Sequence, residues 1–114
     1  MSYNRFGGKP FKEPLPIEEL NKYLKLIKEN GDNKAKEKVI EHNLRLIVKI
    51  LNTYYYKLSR EEQEELFSVG SIGLCKAIDR YDLSLGYEFS TYAVSMIIGE
   101  IRSHLRDNKP LRVP

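Results

Sequence analysis

The 114-residue chain has one cysteine and two histidines. A lone Cys75 cannot close an internal disulfide, and three such residues far apart in sequence do not make a dedicated zinc site. Cys75 reads as a small buried or half-buried apolar residue rather than a nucleophile. No apolar run approaches the ~20 residues that a helix needs to span a bilayer. The opening Met1-Ser-Tyr-Asn-Arg-Phe-Gly-Gly8 lacks the apolar centre of a secretory signal. A cytoplasmic location with no membrane partner is therefore expected. Catalytic patterns are missing as well: there is no phosphate-cradling glycine-rich loop and no His-Glu-x-x-His spacing. His42 and His104 are far apart, and no Ser-His-acid arrangement suggests itself. Asp79 and Asp82, three residues apart, fit solvation or salt bridging at a helix end better than a catalytic pair. The sequence points away from an enzyme and requires no cofactor.

What is present suits one small soluble domain: 41% hydrophobic and 31% charged residues. The net charge of +3 says little, but its distribution says more. Residues 17–57 balance at +3, residues 58–82 at −3 and residues 100–114 at +2. An acidic face could meet a basic protein while basic segments meet nucleic acid. Solvated helix faces explain the same pattern.

Residues 1–16, with Gly7, Gly8, Pro10, Pro14 and Pro16, read as a flexible arm. Ile17, Leu20, Leu24 and Ile27 predict a helix that Asn30-Gly31 stops. Asp32 or Asn33 should cap a long second helix, its stripe Ala35, Val39, Leu46, Ile50 and Tyr54 running to about Lys57. Ser59-Arg-Glu-Glu62 has the form of a capping box. Leu66, Phe67, Ile72, Leu74, Ala77 and Ile78 continue a helix to Tyr81. Gly70 and Gly73 interrupt its propensity, which implies either a close neighbour or a break between two helices. Asp82 to Gly86 is a turn. Tyr92, Met96, Ile97, Ile101 and Leu105 give a last helix from about Ser90 to Arg106. The fold class is all-α, a compact bundle of about four to five helices.

One further constellation stands out. Tyr81, Tyr87, Phe89 and Tyr92 crowd beside Met96 and the basic residues Arg80, Arg102, His104 and Arg106. Aromatic faces and cations together hold single-stranded nucleic acid. A small domain's core would use the same aromatics.

The order and wording of three segments resembles the bacterial RNA polymerase sigma family. Asn43-Leu-Arg-Leu-Ile-Val48 resembles the opening of that family's conserved second region. Glu65-Leu-Phe-Ser-Val-Gly-Ser-Ile-Gly-Leu-Cys-Lys-Ala-Ile-Asp-Arg-Tyr-Asp82 resembles its main polymerase-binding helix, both glycines included. Gly86-Tyr-Glu-Phe-Ser-Thr-Tyr-Ala93 resembles its minus-ten recognition signature. The likeness covers roughly residues 17–114. Ser95-Met-Ile-Ile-Gly-Glu-Ile-Arg-Ser-His-Leu-Arg-Asp107 is most similar to the sporulation and general-stress branch.

The resemblance implies a region 1.2/2 helical domain over residues 17–107 and the start of a linker to a further region at 108–114. It implies that the chain is a fragment, a split gene product or a minimal form. Glu65, Ser68, Ser71, Cys75 and Lys76 would dock on the clamp helices of core RNA polymerase. Tyr81, Asp82 and Tyr92 would line the pocket for a flipped adenine. Tyr87, Phe89 and Thr91 would touch the separated non-template strand, with Asn43 and Ser90 near the pocket for the final thymine. Ser95 and Met96 stand where housekeeping members carry a tryptophan pair, and Arg102 would read the upstream, still paired end. The implied partners are core polymerase, promoter DNA and an anti-sigma factor. Gly99 replaces a side chain that often reads the upstream base pair, and Leu85 replaces a polar residue near the flipped-base pocket. These departures, with the absence of tryptophan, imply a specialised factor. The competing expectation is a polymerase- or anti-sigma-binding module without promoter-opening activity. Retention of Tyr87, Phe89 and Tyr92 argues against it.

Overall fold

The computed structural model describes residues 11–108. The described residues hold five α-helices and one short 3-10 turn: α1 (Ile17–Asn30), α2 (Asn33–Glu41), α3 (Leu44–Tyr54), α4 (Arg60–Arg80), the turn Leu83–Leu85, and α5 (Phe89–Asn108). There is no strand among the described residues. The all-α expectation holds.

Helix ends follow local chemistry. Gly31 takes the left-handed conformation, φ 63°, and its N–H donates to the Ile27 carbonyl at 2.9 Å. This conformation costs glycine no Cβ clash. Asp32 caps α2 by accepting from the Ala35 N–H at 3.0 Å. The Ser59 hydroxyl accepts from the Glu62 N–H at 3.1 Å, and the Glu62 carboxylate accepts from the Ser59 N–H at 3.0 Å. The expected capping box is present.

One expected element is divided. The long helix from Asp32 to Lys57 is two helices, separated at His42 and Asn43. Asn43 is buried, and its side-chain amide donates to the Val39 carbonyl at 2.8 Å. Its backbone N–H turns to the Ile40 carbonyl instead of the i−4 position. An Asn side chain competing for helix carbonyls is a standard way to end a helix. The apolar stripe runs through this break, so periodicity could not reveal it. The stripe also stops short of Tyr54, which is 64% exposed.

The core joins Leu20 and Leu24 of α1, Val39 of α2, Ile47, Ile50 and Leu51 of α3, Leu66, Leu74 and Ile78 of α4, and Ala93, Ile97 and Ile101 of α5. Helices α4 and α5 form the principal packed pair. Helix α4 runs unbroken through both glycines, so close packing is the explanation that holds. A Cβ on Gly73 would lie 2.8 Å from the Ile97 Cα and 2.9 Å from the Met96 carbonyl oxygen. Ordinary carbon contacts are ~3.5–4.0 Å, so only glycine lets the two backbones approach this closely. Gly70 meets side chains instead, with Ile47 Cγ2 at 2.8 Å.

Residues 11–16 of the expected arm form neither helix nor strand. Phe11 stacks on Phe67 of α4 with centroids 5.7 Å apart. Residues 1–10 of that arm and 109–114 of the expected linker lie outside the described residues. No helix among the described residues is long and apolar enough to cross a membrane.

Candidate nucleic-acid and polymerase interface

The outward side of α4 carries Glu65, Ser68, Ile72 and Asp79, all exposed, with Ser71 and Cys75 half-buried beside them. Positions three and four apart share a helix face, so these residues make one stripe. Glu65, and Lys76 beside the stripe, reach across to α5. The Glu65 carboxylate contacts His104 Nε2 at 2.6 Å. Lys76 Nζ donates to the Glu100 carboxylate at 3.0 Å. These pairs bind the stripe to α5 at two levels, either side of the close approach at Gly73. Ser71 donates its hydroxyl to the Phe67 carbonyl at 3.0 Å, inside its own helix. Ile72, one of the apolar residues that fit the helical period, is 50% exposed in the middle of the stripe. It was missed as a surface residue because its apolar character matched the helical period.

Downstream of α4 the chain turns sharply. Asp82 Oδ1 accepts from the Ser84 N–H at 2.9 Å and the Ser84 hydroxyl at 2.7 Å. These hydrogen bonds hold the Asp82 carboxyl below the usual range. Gly86, φ 83°, then redirects the backbone into α5. This places four aromatic rings together. Tyr81 meets Phe89 edge-on at 5.3 Å and Tyr87 at 5.7 Å, and Tyr92 lies 5.6 Å from Tyr87.

The four are not equivalent. Tyr81 is 6% exposed and Phe89 2%. Both belong to the core cluster. Tyr87 is 37% exposed, and Tyr92 is half-buried. The four rings thus differ in exposure: two lie at the surface and two are buried beneath them. The Tyr81 hydroxyl donates to the Tyr87 carbonyl at 2.5 Å and so fixes the loop over it. Burial, then the neighbouring acidic groups, pushes the Tyr81 phenol above its ordinary value, which keeps it a neutral donor.

Two clefts flank this cluster. One, of about 510 Å³, brings together Asn43 from the α2–α3 break and Ser90 from the start of α5. The two residues expected to share a pocket do share one. His42, Arg45, Leu46 and Lys49 complete it, with Glu13 and Pro14 at its edge. Glu13 offers its carbonyl to His42 Nδ1 at 2.7 Å and its carboxylate to Arg45 at 4.0 Å. Arg45 and Lys49, one turn apart, were missed by sequence reasoning; the i, i+4 basic pair beside Asn43 was the available signal. The second cleft, of about 410 Å³, lies on the other side of Tyr81. Lys25 and Lys28 of α1 rim it opposite Asp82 and Ser84.

Along α5, Thr91, Ser95, Gly99, Arg102 and Arg106 are all exposed on one side, at spacings of three and four. Met96 sits half-buried beside this line, its carbonyl against Gly73. No cluster of metal-ligating side chains occurs among the described residues. The arrangement is thus a polar and aromatic surface with two clefts and cations at their rims.

Comparison with known proteins shows the family. The sigma-70 region 2 family matches residues 39–110. The RNA polymerase sigma-G factor of Bacillus subtilis is 48% identical over 102 residues, which is 87% of this chain and 38% of that protein. The sigma-G factor of Clostridium acetobutylicum is 46% identical over 107 residues, 94% of this chain and 41% of that protein. The sigma-F factor of Bacillus licheniformis is 46% identical over 86 residues, covering 75% and 32%. The chain thus spans about two fifths of the length of these sigma-G relatives.

Proposed function

Because the chain belongs to the sigma-70 region 2 family, in its sporulation branch, we propose that it serves transcription initiation by binding core RNA polymerase and holding the opened minus-ten strand of a promoter. Residues 17–107 are the functional domain. The exposed Glu65, Ser68 and Ile72, with the half-buried Cys75, dock on the polymerase, with Ser71 and Lys76 supporting them. Ile72 adds a buried apolar anchor to a rim of polar groups, the usual anatomy of a protein interface. An anti-sigma factor would compete for the same side.

Tyr87 and Tyr92 receive the unstacked strand, and Tyr81 and Phe89 hold them from beneath. Asp82 keeps the loop folded beside them. Asn43 and Ser90 take the last base of the element through hydrogen bonds, with Lys49 and Arg45 near its phosphates. Thr91, Ser95, Met96 and Arg102 follow the strand and the paired end along α5. A base leaves the duplex only when a pocket offsets the unstacking cost of a few kcal/mol. Stacking on an aromatic ring contributes ~1–3 kcal/mol per base, so two open rings and two clefts are sufficient. Without tryptophans at Ser95 and Met96, the upstream wedge is weaker, and a well-matched promoter sequence is required. The action is binding rather than catalysis, and it takes place in the cytoplasm.

The observation that supports this reading is the joining of Asn43 and Ser90 in one cleft, with Ser90 two positions before Tyr92 on α5. The test is binding of a fluorescent non-template oligonucleotide with a minus-ten sequence to the chain in complex with core polymerase. Tyr92→Ala should weaken binding roughly fivefold or more and reduce promoter opening. Unchanged binding and opening would refute base capture at this site.

A further inference from the structure

Asp79 lies in the last turn of α4, two positions before Tyr81. A carboxylate there opposes the helix dipole, which favours cations at a C-terminal end. The stability of α4 alone therefore does not account for it. Its partners come from distant parts of the chain. Lys36 Nζ, on α2, donates to both oxygens of the Asp79 carboxylate, at 2.9 and 3.0 Å. Lys28 Nζ, in the last turn of α1, donates to the Asp79 carbonyl at 3.2 Å. That carbonyl is one of the last four of α4, which find no partner within the helix. Two helices thus grip the end of α4, one through a side chain and one through the backbone. Lys28 also lines the cleft at Asp82. It adds to the lowering of the Asp82 carboxyl that the Ser84 hydrogen bonds dominate.

The gripped turn leads directly into Tyr81, whose hydroxyl holds the Tyr87 carbonyl. The placement of the Tyr87 ring therefore follows from the placement of the end of α4. Glu65, Ser68 and Ile72 lie about two to four helical turns earlier, and Glu65 is tied to α5 through His104 instead. We propose that Lys28 and Lys36 are positioning residues for strand capture: they anchor the end of α4 to α1 and α2 and so set where the Tyr81–Tyr87 turn presents its open ring. Neither lysine touches the strand. A charge-assisted bond shared between two carboxylate oxygens fixes direction as well as distance. The proposal rests on the base-capture reading.

The test measures binding of a minus-ten non-template oligonucleotide to the complex of the 114-residue chain with core polymerase. Lys28→Gln/Lys36→Gln should weaken that binding roughly threefold or more and leave association with core polymerase unchanged. Lys22→Gln/Lys34→Gln removes as much charge from exposed positions on the same two helices and should bind like the parent. Lys36→Asp alone should weaken binding, and adding Asp79→Lys should recover most of it, since the pair is then restored in the opposite sense. A lysine that held a phosphate would flatten the salt dependence when removed; the slope for Lys28→Gln/Lys36→Gln should match the parent's. Unchanged binding in that variant, a flattened slope, or no recovery in the reversed pair overturns the proposal. A lower melting temperature together with weaker polymerase association would mark a general role in folding and overturn it too. Failure of the parent itself to bind refutes base capture and the proposal with it, whereas the other outcomes leave base capture standing.

Discussion

Gly73→Ala tests how α4 and α5 are joined. An alanine in a helix interior is worth ~1 kcal/mol more than glycine. Propensity alone therefore predicts a stabilised protein. The added Cβ would sit 2.8 Å from the Ile97 Cα and 2.9 Å from the Met96 carbonyl oxygen. Both are backbone atoms of α5, so no rotamer change can relieve the contact. Overpacking of this kind costs ~1–3 kcal/mol, and separating the helices also loosens the contacts around it. The net expectation is a loss of ~1–2 kcal/mol, or roughly 5–15 °C in Tm for a domain this size. Gly70→Ala should cost less, because its new Cβ meets the Ile47 and Ile97 side chains, which can shift. Gly99→Ala, with nothing within 4 Å, should be stabilising by up to ~1 kcal/mol. Far-UV circular dichroism melts of the three variants give the order directly. A Gly73→Ala protein that melts at or above the parent would refute the close-approach argument. The same variant should weaken both polymerase docking and strand binding, since Glu65–His104 and Lys76–Glu100 cross this seam.

Three further outcomes are expected. Ser59→Ala removes one half of the capping box and should cost ~1 kcal/mol, read as a lower denaturant midpoint. Glu65→Lys should weaken association with core polymerase in a salt-dependent way; His104→Gln, which alters the same contact without touching the Glu65 charge, should leave association near the parent's. The raised Tyr81 phenol gives an alkaline limit. Above its unfolded value of 10.0 the unfolded chain loses the proton before the folded one. Stability is therefore complete below that pH and falls as pH rises through the folded value. Tyr81→Phe should be less stable at neutral pH, having lost the bond to the Tyr87 carbonyl, yet show a shallower alkaline decline.

Much of this was legible from residues alone where the signal is local. Asp32, Gly31 and Ser59-x-x-Glu62 end or start helices through groups within a few positions, and each does so in the structure. The pair Gly70 and Gly73 left a close neighbour and a helix break both open, and the unbroken α4 decided between them. Where the signal is shared between the core and the surface, the sequence was ambiguous. Tyr81, Tyr87, Phe89 and Tyr92 have the same composition and spacing whether they face a base or each other. Ile72 and Tyr54 fit the apolar period yet face outward. The division at Asn43 depends on a side chain reaching back to Val39, which no periodicity records.

The sequence by itself determined an all-helical chain, the caps, and the membership that three ordered motifs carry. These rest on chemistry within one or two helical turns. Tertiary structure alone decided which rings are open, Tyr87 and Tyr92 over Tyr81 and Phe89. It also decided that Asn43 and Ser90, 47 positions apart in the chain, line one cleft. Exposure and juxtaposition are set by how α3, α4 and α5 pack, and that packing is fixed at Gly73, where the absence of one carbon lets two backbones meet.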